Sequence, residues 1–495
     1  MAKYKETSVA ALFQNQVAKL GSKGCVSYKK DGRYTDISWN EMDAMIRKLG
    51  WYLLSIGVKK GDKVAIFSQN RYEWWVADQA ILSIGAVNVP IYATNSAEEA
   101  LYVLAHSESK VCICGTEGHL EKVLSIKKKA PKLKSIIVID VPSKKKPGVL
   151  TLEEAYKKGE GYRNKAEFDK RLTSIKLNDL ATIIYTSGTT GNPKGVMLSH
   201  SNFISNVNQI MTGYRKFFDE NEVFLSFLPL SHSLERTAGY YMAVALGAKV
   251  AFAEDVSKLQ QNLTEVRPTV MVSVPRIYEK VHAGILAKVA DAPGIKKAIF
   301  NFAIKTAAQN LPYVCESKKP GGLLARKVAI ADKLVFSKLK ETLGLDRLKF
   351  AVSGGAPLSV SDAEFFLGMG IIILEGFGLT ETTPVTNANM PGMIKPGTVG
   401  PALKDTTIKI SDEGEILIKG PQVMLGYYKN KEATKEVMTK DGFFRTGDIG
   451  VIDEKGRLAI VGRIKDIIVT AGGKNISPQN IENSLKESKY IEQVA

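Results

Sequence analysis

The spacing of apolar positions along the first 140 residues alternates between a helical and a strand period. Ser38 and Glu41 form a capping-box pair, and Gly57 stands where the helix that they open would end. Between them, apolar side chains recur at helical spacing at Met42, Met45, Ile46, Leu49, Leu53 and Ile56. A further helix is predicted at 72–84, and Ser96 with Glu99 opens another with the same capping-box spacing. Buried strands are predicted at 63–67, 87–91, 111–114 and 136–139. Because strands separated by helices form parallel sheets with right-handed crossovers, this pattern predicts an α/β fold.

The alternation continues from a helix that opens at Ser199 to about residue 374. A long helical tract is predicted from 276 to 343, broken at Pro293, Pro312 and Pro320. The segment 144–170 is charged and weakly apolar, which favours a surface excursion. Strands are predicted at 223–228, 249–252, 270–274, 350–355 and 371–374.

From Thr407 onward the pattern changes to short β hairpins, at 408–418 and 445–453. A second, smaller domain is predicted to begin at Arg463, with a helix that opens at Ser477. We therefore predict a large N-terminal domain, residues 1–462, of parallel and mixed sheets with flanking helices and a distorted β-barrel-like part. Residues 463–495 are predicted to begin a small α+β C-terminal domain.

The composition is that of an ordinary globular protein, since 44% of the 495 residues are hydrophobic and 24% are charged. No apolar run reaches 18 residues, and the first residues lack the apolar core of a signal peptide. A cytoplasmic protein is expected from these two features.

The net charge of +17 is the unusual feature of the composition. The lysines are grouped at 127–129, 144–146, 157–158 and 318–319. Such a surface attracts polyanions, but no nucleic-acid-reading motif accompanies it, so we expect no nucleic acid partner. Anionic lipid or a phosphate-rich cofactor fits the charge equally well, and peripheral contact with an anionic membrane is compatible with it. A dimer is the oligomeric state expected, without a sequence signal that decides it.

Four cysteines in a chain of this length do not make a disulfide framework. Cys112 and Cys114 share one face of an apolar strand-like run. A metal pair would need further ligands to complete a tetrahedral zinc site, and no second pair or histidine cluster supplies them. Buried strand cysteines are therefore the favoured interpretation.

The segment 185–195, Tyr-Thr-Ser-Gly-Thr-Thr-Gly-Asn-Pro-Lys-Gly, combines three glycines, four hydroxyl residues and Lys194. Glycines let backbone N–H groups approach an anion, hydroxyls add donors, and lysine adds charge, so this loop is suited to phosphate. It is not a Walker loop, because Pro193 precedes Lys194 and a β-like run follows. A plain glycine-rich hairpin turn is the alternative.

Three other segments are predicted to lie beyond the carboxyl ends of parallel strands, where open sheets bind ligands. They span 229–236, 353–357 and 375–381. In the last, Phe377 offers a flat face for a purine, Thr380 offers a hydroxyl to phosphate, and Glu381 offers a hard oxygen ligand for Mg²⁺.

Taken together, these segments resemble the adenylate-forming (AMP-binding) superfamily in order and spacing over essentially the whole chain. The chain is most similar to bacterial long-chain fatty acyl-CoA synthetases. That similarity is carried by Leu-Pro-Leu-Ser-His-Ser-Leu-Glu-Arg at 228–236, Ala-Asp-Lys-Leu-Val-Phe at 331–336 and Phe-Ala-Val-Ser-Gly-Gly-Ala-Pro-Leu-Ser at 350–359.

The resemblance implies an ATP site. It assigns the ATP phosphates to Thr186, Ser187, Gly188, Thr189, Thr190, Gly191 and Lys194. It assigns adenine to Gly354, Gly355, Ala356, Gly376 and Gly378, with Phe377 stacking on the ring and Thr380 meeting a phosphate. Thr186 and Glu381 would position Mg²⁺, Asp448 would bind the ribose hydroxyls, and Arg463 would meet the ribose or phosphate side. Asp448 as an ordinary turn aspartate is the alternative.

The resemblance also implies how the acid and CoA are handled. The catalytic set would be Thr186, Glu381 and His232, with His232 beside the acyl carboxylate. His232 is not expected to be a general base, because an attacking carboxylate has no proton to lose; a satisfied loop histidine is the alternative. Lys465 would be the hinge of the small domain, and Gly473 would approach the pantetheine arm of CoA.

The implied reaction forms an acyl-adenylate from ATP and an acid and then transfers the acyl group to CoA. The acid is predicted to be a long-chain fatty acid, with medium-chain and aryl acids as alternatives. An adenylation domain that loads a carrier protein and a non-catalytic nucleotide- or acyl-binding module are the alternatives. The family's catalytic lysine of the small domain has no counterpart before Ala495. We therefore expect a truncated chain that is impaired in turnover.

Overall fold

The computed structural model describes residues 6–186 and 192–466, together with residues 468, 469, 475, 476, 478, 481, 482 and 485. Its helices are α1 (Val9–Leu20), α2 (Trp39–Ser55), α3 (Tyr72–Ser83), α4 (Ala97–Ser107), α5 (Glu117–Ile126), α6 (Leu152–Glu160), α7 (Ala166–Thr173), α8 (His200–Tyr214), α9 (Met242–Leu246), α10 (Leu259–Val266), α11 (Pro275–Ala290), α12 (Gly294–Cys315), α13 (Gly322–Ala331), α14 (Ser337–Leu343), α15 (Val360–Gly368) and α16 (Lys431–Glu436). Two π-helical segments, Glu235–Tyr241 and Asp332–Phe336, lead into α9 and α14.

The strands carry the sheets that position the candidate site. They are β1 (Gly24–Lys30), β2 (Arg33–Ser38), β3 (Lys63–Phe67), β4 (Val87–Ile91), β5 (Val111–Cys114), β6 (Ser135–Val138), β7 (Val149–Thr151), β8 (Leu180–Thr186), β9 (Lys194–Ser199), β10 (Val223–Ser226), β11 (Lys249–Phe252), β12 (Val270–Ser273), β13 (Phe350–Ser353), β14 (Ile373–Gly378), β15 (Val385–Ala388), β16 (Thr407–Ile410), β17 (Glu415–Lys419), β18 (Gly426–Tyr427), β19 (Phe444–Ile452), β20 (Leu458–Arg463), β21 (Ile468–Val469) and β22 (Asn475–Ile476).

Two eight-stranded sheets form the body of the protein. Sheet I has the strand order β15-β14-β13-β12-β10-β11-β1-β2, and sheet II has the order β18-β9-β8-β4-β3-β5-β6-β7. Sheet I is parallel in the middle and antiparallel at both edges. Sheet II is antiparallel at its β18-β9-β8 edge and parallel from β8 to β7. Sheet III is a four-stranded antiparallel sheet in the order β16-β17-β19-β20. The α/β class, the mixed sheets and the separate antiparallel part are therefore confirmed.

The main hydrophobic core lies between sheets I and II, around α2, α3, α8 and α9. Its centre is aromatic: Trp75 stacks on Tyr240 with ring centroids 3.8 Å apart. A second core lies under the helices that cover the other face of sheet I. Because apolar side chains leave both faces of the parallel strands, each sheet is covered on two sides, as parallel sheets require.

Most of the predicted elements are found, and the two capping boxes at Ser38 and Ser96 form as expected. Cys112 and Cys114 are buried in β5 with their Sγ atoms 3.9 Å apart. Within the described ranges no group of three or more potential metal ligands is found. No described helix is long and apolar enough to cross a bilayer. Ser477, at which a helix was predicted to open, and Gly473 lie outside the described residues.

The prediction of a helix break at Pro312 was wrong, whereas the breaks at Pro293 and Pro320 are found. Pro312 lies inside α12, near its end. A proline there removes one backbone hydrogen bond, and tertiary packing outweighs that loss. The packing is close, since a Cβ on Gly368 of α15 would lie 2.9 Å from the Cβ of Ala307 on α12.

The prediction of a surface excursion at 144–170 was also wrong. That segment forms β7, α6 and the start of α7, and α6 packs on α2. The buried side of α6 consists of Leu152, Ala155, Tyr156 and Gly159, at helical spacing that the surrounding charges obscured. Phe168 of α7 is fully buried beside Gly50 of α2.

The α2–α6 crossing yields a stability prediction at Gly159. A Cβ there would lie 2.0 Å from the carbonyl oxygen of Lys48, a backbone atom that cannot turn away. Gly159→Ala should therefore lower the free energy of unfolding by about 1–3 kcal/mol, although alanine favours helices over glycine. Gly161→Ala is the control, because its Cβ would meet its nearest atom at 3.5 Å. Urea denaturation of the two variants measures the difference; equal midpoints would contradict the close crossing.

Candidate active site

A cleft of about 410 Å³ opens where the ends of β8, β13 and β14 meet the edge of sheet III. Parallel strands of two sheets point their carboxyl ends at this place, so their loops converge on one volume. The cleft is lined by Thr186, Lys194, His232, Ser233, Leu234, Val352, Ser353, Gly354, Gly355, Gly376, Phe377, Gly378, Leu379, Thr380, Glu381, Pro384, Val385, Ala388, Tyr427, Thr446, Gly447, Arg463, Lys465 and Asp466.

Most of the site residues predicted from the sequence line this cleft together, although they lie up to 279 positions apart along the chain (Thr186 and Lys465). Asp448 lies next to the lining residue Gly447 and contacts Arg463. Ala356 is exposed and is not among the lining residues. Residues 187–191 and Gly473 lie outside the described part of the chain.

Thr186 and Lys194 face each other across the first pair of an antiparallel ladder between β8 and β9. The loop between them therefore closes a hairpin, and its two ends both reach the cleft. Lys194 Nζ lies 5.1 Å from the centre of the Tyr427 ring, a cation–π distance. The phosphate-loop and hairpin interpretations of this segment are thus compatible.

Glu381 is held by a tyrosine that the sequence analysis missed. The Tyr427 hydroxyl donates to Glu381 Oε1 at 2.8 Å. Burial raises the pKa of Tyr427, so the phenol stays protonated and remains a donor. Thr380 Oγ1 lies 3.3 Å from Ser233 Oγ, which ties the β14 loop to the His232 loop. No short motif marks Tyr427, since it reaches the cleft only because β18 pairs with β9.

His232 sits in a tight turn, with its backbone N–H donating to the Pro229 carbonyl at 2.9 Å. Its Nδ1 accepts the backbone N–H of Leu234 at 3.1 Å. Burial lowers the pKa of His232, so the imidazole is neutral near pH 7. With Nδ1 an acceptor, the proton is placed on Nε2, which leaves one donor for a ligand.

Asp448 and Arg463 are opposite each other across β19 and β20. Arg463 Nε donates to Asp448 Oδ1 at 3.1 Å. Burial raises the pKa of Asp448 to about 6, and Arg463 opposes that rise. The carboxylate is therefore poised to accept hydrogen bonds from neutral donors, which would further favour its charged form.

Comparison with known proteins shows which family the chain belongs to. The model of the AMP-binding enzyme family matches residues 13–428. The chain belongs to this family. It is 40% identical to the long-chain-fatty-acid–CoA ligase FadD15 of Mycobacterium bovis, over 94% of this chain and 75% of that protein. It is 33% identical to the human long-chain-fatty-acid–CoA ligase ACSBG2, over 97% of this chain and 73% of that protein.

Solved structures agree with the fold. The anthranilate CoA ligase AuaEII, solved in complex with anthranoyl-AMP, superimposes with a TM-score of 0.75. The match covers 98% of this chain and 83% of that one, at 19% identity. At that identity the likeness shows the fold alone.

One glycine of the cleft is required by the chain itself. A Cβ on Gly378 would lie 1.6 Å from the carbonyl oxygen of Pro384. No side chain fits there, because a backbone atom occupies its place. The glycine at this position therefore permits a close backbone approach between β14 and the segment before β15, whatever it does for a ligand.

Glu235, next to the cleft, is a second residue that the sequence analysis missed. It is fully buried in the π-helical segment, and the Ser226 hydroxyl donates to its Oε1 at 2.6 Å. Its other oxygen has no hydrogen-bond partner among the described residues. Burial raises the pKa of Glu235 to about 8, and the Ser226 hydrogen bond opposes that rise. Glu235 is therefore protonated near pH 7.

This protonation gives a pH-dependent stability. Because the folded-state pKa lies above the ordinary value of 4.5, the folded protein holds a proton that the unfolded chain releases. Between about pH 4.5 and about pH 8, wild-type stability should fall relative to Glu235→Gln by on the order of 1.4 kcal/mol per pH unit, and level off above. Denaturant unfolding of both proteins across this range measures the difference. Glu98→Gln, which removes an exposed carboxylate from α4, is the control; a flat difference for Glu235→Gln would show that Glu235 is ionised.

Proposed function

We propose that this chain activates a long-chain fatty acid in two steps, from ATP to an acyl-adenylate and then to acyl-CoA, with release of pyrophosphate and AMP. The names of its relatives support the reaction and the acid class. The observation that carries the proposal is an apolar cavity beside the polar cleft. A ligase of this kind needs a polar place for nucleotide phosphates that is continuous with an apolar place for the acyl tail.

The cavity, of about 60 Å³, lies between sheet I, α8 and the π-helical segment. It is wholly apolar, and Val352, Val385 and Ala388 line both it and the cleft. Its remaining lining residues are Ile210, Tyr214, Phe218, Phe224, Ala238, Met242, Val270, Phe350 and Leu374. An acyl chain leaving the cleft here would bury its methylenes at about 0.8 kcal/mol each. The small volume means that side chains must move for a long chain to enter.

The residues around the cleft divide the work in the first step. Lys194 and Thr186 would hold the phosphates of ATP, with the loop 187–191 between them, and Gly354, Gly355, Gly376 and Phe377 would hold adenine. His232, through the donor on Nε2, would orient the acyl carboxylate for attack on the α-phosphorus. The P–O bond to pyrophosphate breaks as the acyl–phosphate bond forms, so the contribution of these residues is positioning and charge stabilisation.

Thr186 and Glu381 present hard oxygen donors to the same cleft, a donor set that suits Mg²⁺. When bound there, Mg²⁺ would neutralise part of the phosphate charge. In the second step the CoA thiol releases its proton to solvent and its sulfur forms a bond to the acyl carbon, while the bond from that carbon to the phosphate oxygen breaks and AMP leaves. Asp448 and Arg463 would hold the ribose.

Four further expectations stay predictions: the domain boundary at 462/463, the hinge at Lys465, the role of Gly473 in CoA binding, and the dimer. Peripheral contact with an anionic membrane, expected from the charge of +17, is part of the proposal.

The test of this function is ATP–pyrophosphate exchange with acids of increasing chain length. Exchange should rise with chain length, because each added methylene in the cavity contributes binding. Ala238→Leu fills part of the cavity and should shift the preference to shorter acids, while exchange with the shortest acids stays unchanged as the internal control. Absence of exchange with every acid in the full-length protein would contradict adenylation. Exchange without transfer to CoA would favour a carrier protein as the acyl acceptor.

The Tyr427–Glu381 contact gives a separate prediction for Mg²⁺. Tyr427→Phe removes the donor that orients the Glu381 carboxylate. The Mg²⁺ concentration for half-maximal exchange should rise about tenfold, as for other groups that orient a metal ligand, with KM for the fatty acid unchanged. Tyr428→Phe is the matched control, because Tyr428 packs against Lys63 and Lys429 instead. An unchanged Mg²⁺ requirement in Tyr427→Phe would remove Glu381 from the metal site.

A further inference from the structure

A third cavity, of about 870 Å³, lies among α10, α11, α12, the second π-helical segment and α14. We call it the lysine-rimmed pocket. Its interior is aliphatic and aromatic, with Leu263, Ile277, Ile285, Ile299, Phe300 and Leu339 among the lining residues. The volume is within the range of sites that bury most of a ligand of several hundred daltons. Among the described residues, it shares no lining residue with the cleft or with the apolar cavity proposed for the acyl chain, which we call the acyl cavity.

The pocket lies on the opposite side of sheet I from the acyl cavity. Phe224 and Val270 of β10 and β12 point into the acyl cavity. Their neighbours Leu225 and Met271 pack in the core under α10 to α14. Successive side chains of a strand leave opposite faces of a sheet, so sheet I separates the two volumes. The lysine-rimmed pocket therefore has no part in the proposed ligase chemistry.

The lining of the pocket has one sign of charge. Lys280, Lys288, Lys296 and Lys338 are among its lining residues, whereas no Asp or Glu is, within the part of the chain that the structure describes. None of these four lysines forms an ion pair with a described residue. The helical tract 275–343 contains eleven lysines and two arginines against two aspartates and three glutamates, a net charge of +8. An apolar interior with unpaired ammonium groups fits a ligand with an acyl chain and an anionic head group.

The exposed side chains beside the pocket indicate where such a ligand comes from. Val256 and Leu334 line the pocket and are still 55% and 43% exposed, and Ile295, next to Lys296, is 78% exposed. A single lipid molecule from solution would fill the interior but leave these apolar side chains in water. A bilayer leaflet would cover them while its anionic head groups meet the lysines.

We propose that the lysine-rimmed pocket receives an acyl chain of an anionic phospholipid in a bilayer and thereby docks this face of the protein on the membrane. This gives the membrane contact of the proposed function a definite surface. Vesicle binding needs neither ATP nor acid, so its failure would leave the ligase proposal intact, and failure of the ligase proposal would leave this one intact.

The contribution of the four lysines to membrane binding is tested by sedimentation with vesicles. Vesicles of phosphatidylglycerol and phosphatidylcholine in equal parts are compared with vesicles of phosphatidylcholine alone. The whole chain should bind the mixed vesicles and not the neutral ones. Replacing Lys280, Lys288, Lys296 and Lys338 by Gln should weaken binding by roughly 600-fold, since each of the four basic residues at an anionic surface contributes about fivefold. Replacing Lys127, Lys128, Lys129 and Lys144 by Gln removes equal charge elsewhere and should weaken binding less than about fivefold. Equal losses in the two variants, or binding to neutral vesicles, would overturn the proposal.

Insertion of an acyl chain into the pocket is tested at Gly284, which is one of the lining residues. A Cβ added at this position would meet no heavy atom within 4 Å. Gly284→Phe fills the pocket without changing charge or forcing a backbone shift, and it should weaken vesicle binding about tenfold. Gly294→Phe is the matched control, because it too has open space at its Cβ but is not among the lining residues. Both variants should keep the thermal unfolding of the parent chain.

Palmitate below its micellar concentration separates the two sources of an acyl chain. We expect it to compete only weakly with mixed vesicles. A different result would overturn the membrane proposal: one palmitate binds per chain, Gly284→Phe abolishes that binding, and mixed vesicles do not bind. The pocket would then be a site for free fatty acid.

Discussion

The buried ion pair between Arg236 and Asp78 is the contact on which the arrangement of the two large sheets depends. Arg236 belongs to the π-helical segment that follows β10 of sheet I. Asp78 belongs to α3, the helix that connects β3 and β4 of sheet II, and neither side chain is exposed. Arg236 also donates to Thr182 Oγ1 at 2.8 Å and to the Tyr241 hydroxyl at 2.9 Å, and Asp78 accepts from Asn88 at 2.6 Å. A fully buried ion pair is tolerated here because both side chains are also hydrogen-bonded. Removing either partner would lower the free energy of unfolding by about 3–5 kcal/mol.

This constraint reaches the candidate active-site cleft through four residues of chain. His232 lies one helical turn before Arg236, and the Arg236 backbone N–H donates to the His232 carbonyl at 3.1 Å. The neighbouring Glu235 is buried as the neutral acid, which adds no second charge to the interior. The His232 loop is thus held against both sheets at once. The His232 imidazole is positioned by packing that lies behind the cleft, in the aromatic core around Trp75 and Tyr240.

Sheet I separates the volumes to which we assign the two proposed functions. Its carboxyl end supports the polar cleft, one face lines the apolar cavity proposed for the acyl chain, and the other carries the helices around the lysine-rimmed pocket. The alternation of side chains along β10, β12 and β13 is the physical basis of this division. A reaction that joins a lipid tail to a charged nucleotide is thereby compatible with a membrane-facing surface that stays separate from it.

The sequence by itself determined the α/β class, the two capping boxes, the buried cysteines and most of the cleft, because periodicity, caps and glycine-rich loops are local signals. Residues 186, 232, 354, 377 and 381 could be predicted since each lies in a short segment whose composition suits phosphate, purine or metal. Only the tertiary structure decided that Tyr427 reaches Glu381, that Glu235 is buried beside Ser226, and that Pro312 is tolerated inside α12. These depend on strand pairing and helix packing between distant parts of the chain. The same holds for the lysine-rimmed pocket, whose charges looked like ordinary surface lysines until four helices placed them around one apolar volume.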